Sequence, residues 1–352
     1  VAMGEVYREL GEAAWAWVLG QVRDAEGPWL PEVVAGDEGF AGPAADRDSV
    51  YAGIGGLAPV LAEIGQHRVL AAVWAGGEHA GSIAAVGGTA LLNAAEQTGD
   101  GLDWAMAPGY PSSTPNYSHG TAGVATALAI AGAALGRADF TAAAALGARH
   151  LLSVGTLDSS GFIVPHTLPY STRDVEPVTY NWCHGPTGTS QLFAALAMAG
   201  VQDVAGQPVA WLRRQCLEAI LSSGVPARLR PGFWDNDGRC CGTAGVGDVL
   251  LDAAQDCDDQ TEAGRLLEGA RVMGAALAER AVRVQGGACW RFTEHRKDPP
   301  LLPPGTSWMQ GAAGIAAFLL RLARVMDTGL TAPVVDRPDQ WWAVPARLRA
   351  VT

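Results

Sequence analysis

Five glycine turns at near-regular spacing constrain the fold of this chain more than any other feature. Gly53, Gly120, Gly185, Gly242 and Gly311 each open a turn of small residues, and they stand 67, 65, 57 and 69 residues apart. An apolar run follows each turn, as with Leu57, Val60, Leu61 and Ile64 after the first and Val246, Val249, Leu250 and Ala253 after the fourth. These are the intervals of one helix face. A long loop precedes each of the last four turns, and an amphipathic helix is expected between successive turns. Expected helices include 5–22, 66–76, 141–152, 191–198, 209–222 and 261–283. A repeat of this length marks a stacked or closed array of helical hairpins. The apolar helix of each pair would be inner and the amphipathic one outer. Strand signals are almost absent, so the expectation is an all-α chain. Residues 1–330 would form one domain, and the Pro-rich tail 331–352 would lie on its surface. If the array closes, every glycine turn lies at the same end of it.

Composition narrows the partners. The 352 residues carry 36 acidic and 24 basic side chains, a formal net charge of -12. That balance argues against nucleic acid and against anionic membranes. Six cysteines in this length do not make a disulfide scaffold. No charged-then-apolar leader opens the sequence, so a reducing, cytoplasmic setting is expected. The run from His119 to Gly136 has no charged residue, but it is mostly Ala, Gly and Thr. It reads as a helix buried on all sides rather than a membrane span.

Chemistry-bearing residues cluster at the turns. Arg239-Cys240-Cys241-Gly242-Thr243-Ala244-Gly245 places two adjacent thiols before a Gly-x-x-Gly turn. Neighbouring cysteines rarely pair with each other, because the bond strains the backbone. They could grip a metal from one side, and zinc would need at least one further ligand. Trp182-Cys183-His184-Gly185-Pro186-Thr187-Gly188 offers another thiol, and Ser118-His119-Gly120-Thr121-Ala122-Gly123 offers a histidine. In a closed array His119, Cys183, Cys240 and Cys241 would meet at one mouth. Cys216, Cys257 and Cys289 sit in apolar patterns and are expected to pack. His166, Glu294 and His295 lie in loops that could rim the mouth, and are read as solvated or structural.

The ordered set His119–Gly123, Trp182–Gly188, Cys240–Gly245 and Gln310–Ile315 resembles the LanC-like lanthionine cyclases, from about Asp48 to Leu322. The resemblance implies an α/α toroid, a zinc ion at one mouth, and addition of peptide cysteine thiols to dehydroalanine or dehydrobutyrine. It implies Cys183, Cys240 and Cys241 as the zinc ligands. Cys241 stands where many members carry histidine. It also implies His119 as the catalytic histidine and Asp48 as the nearest match to the family's catalytic aspartate, with Ser49 and Asp46 as alternatives. Thr179 occupies the place where an arginine usually precedes the first cysteine, leaving that role vacant or passing it to Arg173. His184 stands where some members carry tyrosine, and it could orient the neighbouring ligand. Trp182 and Trp308, beside their turns, are the best aromatic candidates for lining a cavity.

The chemistry follows from these groups. A free thiol is mostly protonated at neutral pH, and zinc removes that proton. A substrate thiolate would attack the β-carbon of a dehydroamino acid. The resulting enolate must be protonated at its α-carbon, with His119 as the acid. The expected partners are a dehydrated precursor peptide and a separate dehydratase, since no such domain is present. The rival readings are addition of a small thiol such as glutathione, and a zinc-stabilised scaffold without turnover. A carbohydrate-active toroid would want paired carboxylates, and the turns carry no clear pair.

Overall fold

The computed structural model describes residues 3–24, 27–34, 46–57, 60, 80–106, 109–110, 112–169, 178–227, 236–293 and 298–335. The expected helix over 66–76, residues 336–352 of the tail, and Arg173, Glu294 and His295 lie outside these residues. Nine α-helices and six short two-stranded ladders make up the regular structure of the described residues, together with one 3-10 turn. Two compact units are present: Ala72–Gly224 forms one, and segments before and after it, Val1–Ala71 and Val225–Asp336, form the other.

In the discontinuous unit the helices are α1 (Met3–Gln21), α7 (Thr243–Gln255), α8 (Gln260–Arg280) and α9 (Ala312–Thr328). The continuous unit holds α2 (Ala80–Asn93), α3 (Thr121–Leu135), α4 (Ala138–Val154), α5 (Pro186–Met198) and α6 (Val209–Ser222). Helices pack as pairs, α7 with α8 and α1 with α9 in one unit, α3 with α4 and α5 with α6 in the other. The two members of a pair differ as the sequence requires. From Thr243 to Ala254, α7 is buried on every side. Its partner α8 buries one stripe, Ala263, Leu266, Ala270, Met273 and Leu277, the pattern of an amphipathic helix. Asp259 caps α8 by accepting from the Thr261 and Glu262 amides.

The uncharged run beginning at His119 forms α3, which ends at Gly136 in the left-handed region with φ 64°. Glycine takes that conformation without a Cβ clash. No helix of the described residues is long and apolar enough to cross a membrane.

The glycine turns share one construction. In all five, the opening glycine packs against the carbonyl of the residue six positions earlier, as Gly120 does on Thr114 and Gly242 on Asn236. The glycine three residues later repeats this, with Gly123 on Tyr117, Gly188 on Trp182, Gly245 on Arg239 and Gly314 on Trp308. A Cβ at any of these positions would collide with backbone. Glycine is therefore required here by close approach, since the backbone of Gly120, Gly185 and Gly242 is merely extended.

The approach serves the helix N-terminus, whose first amides have no partner within the helix. Thr121, Thr243, Ala312 and Ile54 donate their amides to the carbonyls of Thr114, Asn236, Gly305 and Arg47, at 3.2, 3.0, 2.9 and 2.9 Å. Pro186 fills the same position of α5, where no amide exists to satisfy. Gly245→Ala is expected to cost about 1–3 kcal/mol and to push the Arg239 carbonyl, next to Cys240, out of place. Denaturant unfolding checks this, and an unchanged midpoint would refute the close contact.

Candidate metal centre

Turns are stitched to one another through a single equivalent position, the residue two before the opening glycine. The Ser118 amide donates to the Cys183 carbonyl at 2.9 Å, Cys240 to Met309 at 2.7 Å, and Met309 to Tyr51 at 3.3 Å. Cys183 and Cys240 are thus equivalent residues of the repeat. The backbone pairing that fixes the turns also fixes where their sulfurs point from.

In the continuous unit, the His119 and Cys183 turns lie side by side. Besides the Ser118 bond, Tyr117 meets Trp182 edge to face at 5.1 Å between centroids. His119 is exposed. Its carbonyl accepts from the Thr114 hydroxyl at 2.8 Å, and two residues on Thr121, at the start of α3, donates to buried Asp103. The His184 ring stands 5.4 Å from His119 and 4.4 Å from His166. Burial, followed by the charges of His166 and His119, holds His184 well below the ordinary imidazole range, so it is neutral at pH 7. Asn181 Oδ1 accepts from the Cys183 thiol at 3.3 Å and from the His184 amide at 3.1 Å.

His166 is 6 % exposed, which favours the structural over the solvated reading of its loop. Asn116, fully buried, donates to the carbonyls of Pro165 and His166 at 2.8 Å each. Those bonds tie the His166 loop to the segment leading into His119. Thr179, found in place of an arginine, donates to the carbonyl of His184, as Thr114 does to His119. The signal was available: each threonine stands six residues before its glycine.

In the discontinuous unit, the Tyr51 hydroxyl donates to Cys240 Sγ at 3.2 Å and accepts from Gln310 Nε2 at 3.0 Å. Asp48 has an 87 % exposed side chain and stands 3.8 Å from Arg47 Nε. Ser49 instead turns inward, its hydroxyl accepting from the Ala52 and Gly53 amides at 3.2 and 3.3 Å. Trp308 is fully buried, with the Arg239 guanidinium 4.4 Å from its ring centroid. Trp182 is half-buried. Sequence reasoning missed an ionic network beside the adjacent thiols. Arg239 pairs with Asp248 at 2.5 Å, and Arg321 pairs with Asp248 at 2.5 Å and Asp252 at 2.7 Å, all buried.

The sulfurs of Cys183, Cys240 and Cys241 lie within 4.8 Å of one another, and all three residues are buried. Sulfurs bound tetrahedrally to one zinc sit roughly 3.8 Å apart, given zinc–sulfur bonds of about 2.3 Å. Thiolates are ligands that zinc takes readily. The cluster could bind a metal. Cys216 and Cys289 are buried away in apolar surroundings, which raise both thiols above the ordinary range.

Paired helices led by glycine turns, with three thiols at those turns, define an all-α protein with a cysteine cluster that could bind a metal. The model of the family "Lanthionine synthetase C-like protein" matches residues 109–328, and the chain belongs to that family. The family's fold is the α/α toroid, the fold that the resemblance implies. Membership supports a cyclase-like or thiol-addition role. No curated protein matches the chain.

Proposed function

We propose that this protein is a zinc-dependent cyclase that adds peptide cysteine thiols to dehydroalanine or dehydrobutyrine, closing thioether rings in a ribosomally made peptide. The observation that carries the reading is the grouping of three buried thiols within 4.8 Å, in a chain of this family. Zinc held by these thiolates would supply a fourth position at which a substrate thiol loses its proton and stays nucleophilic. Cys183, Cys240 and Cys241 as ligands leave a net negative centre, which keeps electron density on the incoming sulfur.

His119 does the proton work. Thr114 holds its carbonyl, the turn holding it is bonded to the Cys183 turn, and the residue is exposed. When the new carbon–sulfur bond forms, the electron pair of the alkene moves toward the peptide carbonyl. An imidazolium at His119 then donates the proton that completes the α-carbon. A dehydrated precursor peptide is the partner, made by a separate dehydratase, in the cytoplasm. Arg173 and Asp48 are left as proposals for assisting groups.

The test supplies a dehydrated, cysteine-containing peptide to the zinc-loaded protein. Cyclisation conserves mass, so it is read as loss of alkylatable thiol with no mass change. A mass gain with a small thiol present would point instead to intermolecular addition. Unchanged thiol with zinc bound would leave a scaffold protein. His119→Asn is expected to keep zinc and fold while slowing thiol loss on the order of 10²–10⁴-fold. Wild-type rates in that variant would mean another acid protonates the enolate.

A further inference from the structure

We infer that Tyr51 tunes the metal centre by hydrogen bonding to the Cys240 thiolate. The inference rests on the zinc reading above. Tyr51 stands two residues before Gly53, the position that Cys183 and Cys240 hold in their own turns. Its backbone joins the same stitching, its carbonyl accepting from the Met309 amide at 3.3 Å while the Met309 carbonyl accepts from Cys240 at 2.7 Å. A residue placed by this register would direct its side chain as the equivalent cysteines do. Tyrosine reaches farther than cysteine and arrives with a donor in place of a sulfur. Its hydroxyl meets Cys240 Sγ at 3.2 Å.

The phenol is itself oriented. Gln310 Nε2 donates to the Tyr51 oxygen at 3.0 Å, which occupies an oxygen lone pair and leaves the proton to point at sulfur. A chain of donors polarises along its length, so the Gln310 bond strengthens the one to Cys240. Tyr51 is 43 % exposed, so this donor stands on the accessible side of a buried ligand. A donor on a thiolate withdraws electron density from it, and partners behind a ligand tune the metal in this way. Tyr51 is a positioning residue in this sense: it acts on the ligand and not on the substrate.

Cobalt(II) substituted for zinc reports the ligand directly, through its sulfur-to-metal charge-transfer absorption. Tyr51→Phe keeps the ring and removes the donor. The expected result is one cobalt per chain, as in the parent, with the charge-transfer band moved to longer wavelength because the Cys240 sulfur is richer in electrons. Zinc affinity, by chelator competition, should fall on the order of 10-fold. Gln310→Met should shift the band the same way by less, and it leaves Tyr51 in place should the first variant fold poorly. A band unmoved in both variants overturns the inference while the zinc reading stands. A parent protein with no sulfur–cobalt band overturns both.

Discussion

Cys241→Ala is expected to lose zinc during purification and to abolish thiol addition, while Cys241→His keeps the metal and slows the reaction. On the proposed ligand set, the alanine variant leaves Cys183 and Cys240 as the remaining protein ligands. Losing a partner behind a ligand already costs about 10–100-fold in metal affinity, and losing a ligand costs more. The histidine variant restores a donor that zinc accepts equally well. It exchanges an anionic sulfur for a neutral nitrogen, so the centre gains one unit of positive charge. A bound substrate thiol then gives up its proton at lower pH, but its sulfur is a poorer nucleophile. The loss of rate should be large at high pH, where the parent is already fully thiolate, and smaller at low pH. Zinc content and thiol-consumption rate across pH, measured on both variants, separate these outcomes. Parental zinc and turnover in Cys241→Ala would mean Cys241 is not a ligand.

Which features were legible from sequence follows from how each is encoded. Helices announce themselves by periodicity, and the basic, amphipathic α6 runs over 209–222 as expected. Boundaries slipped where backbone caps decide them. The helix expected over 191–198 begins at Pro186, because Pro186 and the loop carbonyls set its start. The glycine turns were visible, but their reason was not. Glycine is needed because a carbonyl six residues back occupies the space of its Cβ, which only coordinates reveal. At the site, the cysteines were legible because thiols before glycines are rare. Tyr51 and Thr179 were hidden because tyrosine and threonine are common, and only their register in the repeat gives them meaning. Arg321 lies more than 60 residues from the acids it pairs with, a separation that no local pattern spans.

That buried network is where the fold is most vulnerable to one substitution. Arg321→Met is expected to destabilise the protein by about 3–5 kcal/mol, the cost of breaking a buried pair by removing one partner. Asp248 lies between two guanidiniums, Arg239 and Arg321, and Asp252 bonds Arg321 on the other side. With all four present the formal charges cancel. Methionine at 321 leaves a net negative charge in a place water does not reach. Its chain still fills much of the volume, so the loss measures electrostatics more than a cavity. Adding Asp252→Leu should recover part of the loss, since it restores one balanced pair, Arg239 with Asp248. The double variant should therefore be more stable than the sum of the two single changes predicts, as coupled neighbours are. The effect should also reach the metal. Arg239 precedes Cys240, and its side chain is gripped between Asp248 and Trp308. Arg321→Met leaves that grip intact, whereas Asp248→Asn weakens it. Asp248→Asn should thus lower zinc affinity more than Arg321→Met does. Unfolding midpoints and chelator competition on the same proteins decide this. Equal zinc loss in both would show that general loosening, and not the hold on Arg239, governs the centre.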